Sequence, residues 1–217
     1  MDNNNQEAIN MPRIGDMAPD FNALTTQGRL NFSEYAKDHW VILFSHPADF
    51  TPVCTTEVSG FAVQEEEFAN LNTKLLGLSI DSIHAHLAWI HSMNKSMGIL
   101  IRFPIIADID MKVAKLYGML QPGESDTSAV RAVFFVDPKF KIRLIMYYPH
   151  NVGRSMDEIF RVLKAMQISE KHRVVLPLDW QPGDKVIVPP PRNVDDMLER
   201  EKSDYEMIDF YLAKRSV

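Results

Sequence analysis

The chain has 217 residues, 46% hydrophobic and 24% charged, a balance that fits one large globular domain or one domain with an extension. A formal net charge of −6 leaves no basic face for nucleic acid, and a single cysteine leaves no internal disulfide. A cysteine kept single fits a reducing compartment, so a cytoplasmic location is expected. No apolar run approaches the ~20 residues that cross a bilayer. The polar start Met1-Asp2-Asn3-Asn4-Asn5 lacks a signal-peptide pattern, and residues 1–12 are expected as a flexible lead-in.

In chain order, Ala23 to Phe32 reads as a short hairpin turning at Gln27-Gly28, and Ser33 as the cap of a brief helix. Trp40 to Phe44 is an apolar run suited to a strand buried on both faces. A Pro47-Ala48-Asp49 turn follows, and Thr51-Pro52 reads as an N-cap and first helical residue. Val58, Phe61, Ala62 and Phe68 then fall near helical spacing, with Gln64 to Glu67 towards water. Leu75 to Ile80 predicts a second buried strand, and Ser82 the cap of a helix through Leu87, Trp89 and Ile90. A short strand after Phe103 and a short helix from Met111 to Tyr117, closed by Gly118, come next. Val130 to Val136 and Ile142 to Tyr148 read as a hairpin across Asp137-Pro138-Lys139. Ser155 should cap a helix carrying Met156, Ile159, Phe160, Leu163 and Met166 on one face.

Strands alternating with helices, then an antiparallel pair, predict an α/β sheet with helices on both faces. From Pro177 the composition turns loop-like, and Pro189 to Pro191 should run extended. Asp195 to Leu212 then mixes Met197, Leu198, Met207, Ile208 and Phe210 with many charges. Residues 13–168 are therefore expected as the main domain. Residues 169–217 are expected as an arm with little core of its own, hiding its apolar groups across a subunit boundary. The alternative is a frayed tail.

The chemistry gathers at Cys54. On the predicted register it lies in a first helical turn, where unpaired backbone N–H groups and the helix dipole favour negative charge on sulfur. A helix terminus supplies only ~0.3–1 kcal/mol when exposed, so a cation or further donors should assist. A lone cysteine is more often a small buried hydrophobe; its place after a strand, a proline-bearing turn and a helix start argues for function.

This stretch resembles the peroxiredoxins. Their Pro-x-x-x-Thr-x-x-Cys motif is complete as Pro47, Thr51 and Cys54, and the flanking His46, Phe50, Pro52-Val53 and Thr55-Thr56-Glu57 are similar to the 1-Cys class. Gly15, Ala18, Pro19, Asp20 and Phe21 match the family's opening segment, and the resemblance covers roughly residues 13 to 188. It implies a thioredoxin-like fold, no cofactor and no metal. The implied activity is thiol-dependent reduction of hydrogen peroxide and organic hydroperoxides through a sulfenic acid on Cys54. Arg131, in Ser128-Ala129-Val130-Arg131-Ala132, matches the arginine that activates the thiolate; a rim arginine reaching water is the plain alternative. Arg154 matches a second arginine, and Glu57 is expected to pair with either or to be an exposed helix glutamate. Thr51 would bond the peroxide or simply cap the helix, Pro47 would shield the sulfur sterically, and His46 would tune the network or merely pack. Leu176 stands where two-cysteine relatives carry a resolving Cys-Pro. An external thiol is therefore implied: glutathione, a thioredoxin-type protein or a small dithiol. The family's C-terminal arms imply a homodimer, with a decamer open.

Two other possibilities fail on their residues. Lys37-Asp38-His39-Trp40-Val41 lacks the Gly-x-Ser-x-Gly run of mammalian 1-Cys members, so a serine lipase activity is unsupported. His84 and His91 share a helical face that His86 does not, and no acidic partner has metal-ligand spacing. Asp108 and Asp110 read as turn residues.

Overall fold

A computed structural model describes residues 11–125 and 127–217; most of the expected flexible lead-in lies outside the described residues. The chain divides into two compact units, one ending at Arg154 and one running from Ser155 to Val217.

The first unit is built on a seven-stranded mixed sheet of order β2-β1-β5-β4-β3-β6-β7. Its strands are β1 (Asn22–Thr25), β2 (Gly28–Asn31), β3 (Trp40–Ser45), β4 (Thr73–Ser79), β5 (Ile105–Ala107), β6 (Arg131–Val136) and β7 (Ile142–Tyr148). β3 runs parallel to β4 and antiparallel to β6, with Phe44 opposite Val133 and Ile42 opposite Phe135. All six β3 residues are buried, which is why they read as an unbroken apolar run rather than an alternation.

Alternation along β3 separates two cores. Val41 and Leu43 join Phe32, Val113, Ala114 and Tyr117, which places α1 (Phe32–Ala36) and α5 (Lys112–Leu116) on one face. Phe44 points the other way and stacks on Phe61 of α2 (Pro52–Val63), with ring centroids 4.0 Å apart. On that second face α4 (Ile83–Met97) meets α2 through Trp89, whose indole N–H donates to the Thr55 hydroxyl at 3.3 Å. The expected helices on both faces are present.

Local chemistry corrects some expected boundaries. Asn31, not Ser33, caps α1, its carboxamide oxygen accepting from the Glu34 N–H. The helical run after Cys54 breaks at Gln64, so Glu65–Asn70 forms a separate α3. Gly98 takes φ 70° to close α4, a conformation without side-chain cost only for glycine.

The second unit contains α6 (Met156–His172), β8 (Val186–Val188), α7 (Val194–Arg200), β9 (Glu206–Asp209) and β10 (Leu212–Arg215). Ser155 caps α6 as expected, accepting from the Glu158 N–H. The segment expected to be loop-like contains β8, part of a three-stranded sheet of order β8-β10-β9. Val174, Trp180 and Val186 give the unit a small core, to which Ala165 and Ile168 of α6 contribute. α6, counted with the main domain in the sequence reading, thus groups with the C-terminal segment. Arg200 is buried and donates to the carbonyls of Phe210, Val188 and Pro189.

Candidate active site

β3 ends at Ser45, and a short turn reverses the chain into α2. Phe50 takes φ 56°, Thr51 returns to extended backbone, and Pro52 fills the first helical position, where its missing N–H costs nothing. Cys54 is therefore the third residue of α2, fully buried and free. Thr51 occupies the N-cap position, but its hydroxyl caps nothing. It donates instead to the Ala48 carbonyl at 2.9 Å, inside the turn.

Around Cys54 lies a buried ion cluster. Arg131 Nη1 is 3.4 Å from Sγ and 2.6 Å from Glu57 Oε2. Its Nε and Nη2 both donate to the His150 carbonyl oxygen, at 3.1 and 2.7 Å, so the guanidinium is anchored on two sides. Arg154 closes a fork on Glu57: Nε to Oε1 at 2.9 Å and Nη2 to Oε2 at 2.8 Å, with its backbone N–H also on Oε1. Its Nη1 reaches the carbonyls of Ser45 and Ala132, and the guanidinium lies 5.3 Å from the Phe44 ring centroid. Burial alone would raise the Glu57 carboxyl, but the Arg154 charge and hydrogen bonds, aided by Arg131, hold it below its ordinary value. Two guanidiniums and one carboxylate sum to one net positive charge, and the sulfur lies against it. A thiolate balances that charge; a thiol does not.

A second polar cluster adjoins this one. His46 and His86 are fully buried and bracket Asp49, with His46 Nε2 to Oδ1 at 2.9 Å and His86 Nδ1 to Oδ2 at 2.7 Å. Burial pushes the His46 imidazole below 6.5 despite Asp49, and the nearby Arg154 charge acts in the same direction. Burial would raise Asp49, but hydrogen bonds from His46 and His86 hold it below the usual carboxylate value. His46, Asp49 and Asp81 bring potential ligand atoms within 4.8 Å of one another. Those of His46 and Asp49 are already hydrogen-bonded together, and an Asp81 oxygen accepts from the Asp49 N–H and the Ser79 hydroxyl.

The fold thus joins Cys54, Arg131, Glu57 and Arg154 in one bonded network, and sets Pro47 and Thr51 on the turn leading to it. His46 belongs to the second cluster. Exposed His84 and His91 lie elsewhere on α4, and Asp108 accepts backbone N–H groups of Val113 and Ala114. Asp49 and His86 were missed, the first read only as a turn residue. A signal for His86 existed: it lies three residues before Trp89 and seven before Met93, on the buried stripe of α4. The His150 carbonyl left no signal, because any residue supplies one.

Comparison with known proteins agrees with this geometry. The AhpC/TSA family model matches residues 14–145, and the model for the C-terminal domain of 1-Cys peroxiredoxin matches residues 165–204. A peroxiredoxin of Methanosarcina mazei is 49% identical over 212 residues, covering 94% of this chain and 97% of that protein. Peroxiredoxin 2 of Sulfurisphaera tokodaii is 50% identical over 190 residues, covering 86% and 89%. Among solved structures, the yeast mitochondrial 1-Cys peroxiredoxin, described with thiol resolution via glutathione/thioredoxin systems, superposes with TM-score 0.85 at 43% identity, covering 95% of this chain and all of that one. A cysteine-to-serine mutant of peroxiredoxin 6 of Arenicola marina gives TM-score 0.86 at 33% identity, covering 94% and 98%. The chain belongs to the peroxiredoxin family, in its 1-Cys class. Its fold is thioredoxin-like and it is a thiol-dependent peroxidase.

Proposed function

We propose that Cys54 is the peroxidatic nucleophile. Its thiolate attacks one peroxide oxygen, an S–O bond forms as the O–O bond breaks, and the departing alkoxide or hydroxide takes up a proton to leave as alcohol or water. Cys54 is left as a sulfenic acid. The observation that carries this reading is Arg131, held by Glu57 and the His150 carbonyl with Nη1 3.4 Å from Sγ. Such a guanidinium stabilises the thiolate and the negative charge that develops on the leaving oxygen. Thr51 supports the same step: its proton is given to Ala48, so its oxygen is free to accept from a peroxide hydroxyl. Glu57 and Arg154 hold Arg131 in place, Pro47 shields the sulfur, and His46 adjusts the surrounding network.

With no second cysteine in the chain, an external thiol reduces the sulfenic acid. The yeast relative favours glutathione or a thioredoxin-type protein for this role. No helix among the described residues is long and apolar enough to cross a membrane, and the lone cysteine favours the cytoplasm. Residues 13–168 are read as the peroxidase domain and 169–217 as an arm that pairs two copies of the chain, with α6 spanning that division and packing within the C-terminal unit. Exposed Met207, Ile208, Phe210 and Tyr211 on that arm favour a homodimer, and a decamer is a further assembly of such dimers.

The test is peroxide consumption by the wild type and by Cys54→Ser with dithiothreitol as reductant. Sustained turnover by the wild type, absent in the variant, is expected. One stoichiometric burst without turnover would make the protein a redox sensor instead. A variant as active as the wild type would remove Cys54 from the reaction.

A further inference from the structure

The bonding partners in the His46–Asp49–His86 cluster determine where its protons lie. His86 presents Nδ1 to Asp49 Oδ2 at 2.7 Å and Nε2 to the Ile106 carbonyl oxygen at 3.1 Å. An ionised carboxylate and a carbonyl can only accept, so this geometry calls for a proton on both His86 nitrogens. His46 donates from Nε2 to Oδ1 at 2.9 Å, whereas its Nδ1 is buried without a partner among the described residues. A proton on that Nδ1 would be a buried donor lacking an acceptor, so His46 is the neutral tautomer with hydrogen on Nε2. Two other charged groups face the cluster. Asp81 accepts from the Asp49 N–H at 3.0 Å, and Arg154 adds positive potential at His46.

These bonds hold a turn that carries parts of the reaction. Asp49 is tied at three points: by its N–H to Asp81, by one oxygen to His46 at the end of β3, and by the other to His86 in α4. The preceding residue, Ala48, supplies the carbonyl that takes the Thr51 hydroxyl. Thr51 then starts the helix that bears Cys54. We infer that Asp49 and His86 are positioning residues for the peroxidase reaction: an ionised Asp49, held by a His86 ring protonated on both nitrogens, fixes the His46–Thr51 turn and the tautomer of His46. The kinetic part of this inference rests on the reading of Cys54 and Thr51 above; the assignment of protons does not.

Two measurements on the full chain test it. Long-range proton–nitrogen spectra of isotope-labelled histidines at neutral pH should show one buried ring protonated on both nitrogens, lost in His86→Phe, and one ring with hydrogen on Nε2 only. A bare nitrogen on His86 overturns the assignment. Asp49→Ala and His86→Phe should each lower kcat/KM for hydrogen peroxide by about tenfold or more, with the double variant no worse than either single one. If both variants unfold cooperatively and keep the wild-type kcat/KM, the cluster is structural only and the inference falls. If neither folds, Asp49→Asn decides, because its amide can donate to a neutral His86 and still accept from His46. It should lose the doubly protonated signal and keep the His46 tautomer; an unchanged spectrum overturns the inference. Activity retained by Cys54→Ser would instead overturn the reading of the nucleophile and leave the histidine spectra standing.

Discussion

Two buried carboxylates, Glu57 and Asp49, are each bracketed by two nitrogen bases, and the difference between the bases separates their roles. Glu57 accepts three hydrogen bonds from two guanidiniums and a fourth from the Arg154 backbone N–H. Guanidiniums do not lose their protons in proteins, so that cluster presents a constant charge to the sulfur. Asp49 sits between imidazoles, bases that, unlike guanidiniums, can give up a ring proton. One carboxylate anchors a fixed field; the other holds a turn through protons that acid can change. Deep burial makes both sensitive to loss of a partner, because an unpaired charge away from water is costly.

The largest effect should come from breaking the fixed cluster at its centre. Glu57→Ala leaves two buried guanidiniums without their counter-charge, and breaking a buried pair this way costs about 3–5 kcal/mol. Urea unfolding of the reduced protein is expected to register that loss, together with loss of peroxidase activity. Arg131→Lys should act more selectively. An ammonium keeps the charge but not the planar fork that binds the His150 carbonyl while reaching Sγ and Glu57. A fall in kcat/KM for peroxide of about 10²–10³-fold is expected, the range seen when one preorganised donor is removed. If Arg131→Lys kept the wild-type rate, the charge alone would suffice and the contrast between the two clusters would weaken.

Acid distinguishes the clusters next. His46, Asp49 and Glu57 all bind protons more weakly when folded than when unfolded. Below their unfolded values the unfolded chain holds more protons, so stability rises with pH. The His46 contribution is complete above 6.5 and is lost as pH falls through its lower folded value. The contributions of Glu57 and Asp49 are complete above 4.5 and 3.8 and are lost further into acid. Urea midpoints at about pH 7.5, 5.5 and 4 should therefore fall in two stages. Glu57→Gln should shrink the second stage and leave the first.

Much of this arrangement was legible in the sequence because each visible part had a local cause. The strand from Trp40 reads from its unbroken apolar run, and the helix start from Thr51-Pro52. Cys54, Arg131 and Arg154 stand out because each is a chemically unusual residue in its surroundings. Asp49 and His86 were illegible because their roles depend on a contact across 37 residues, between a turn and a helix, which no local pattern encodes. The caps show the same limit on a smaller scale. Thr51 has the backbone of an N-cap, yet the Ala48 carbonyl takes its hydroxyl proton. Asn31 displaces Ser33 because the helix begins two residues earlier than Ser33 would require.

The smallest effect should come from a carboxylate–guanidinium pair placed in water. In α6, Arg161 forks onto Glu158 three residues away, with Nε at 2.5 Å and Nη2 at 2.7 Å. The partners match those of the Glu57–Arg154 pair, but the side chains keep 25% and 38% of their accessibility, against 1% and 5% for Arg154 and Glu57. Solvent screens the attraction and already hydrates either partner when the other is absent, so little is left uncompensated. Arg161→Ala should therefore lower stability by no more than about 0.5 kcal/mol and leave peroxide turnover unchanged. A loss approaching that of Glu57→Ala would mean that burial is not what separates the two pairs. Bidentate geometry would then carry the energy, and the buried cluster at Cys54 would owe its strength to shape rather than to the exclusion of water.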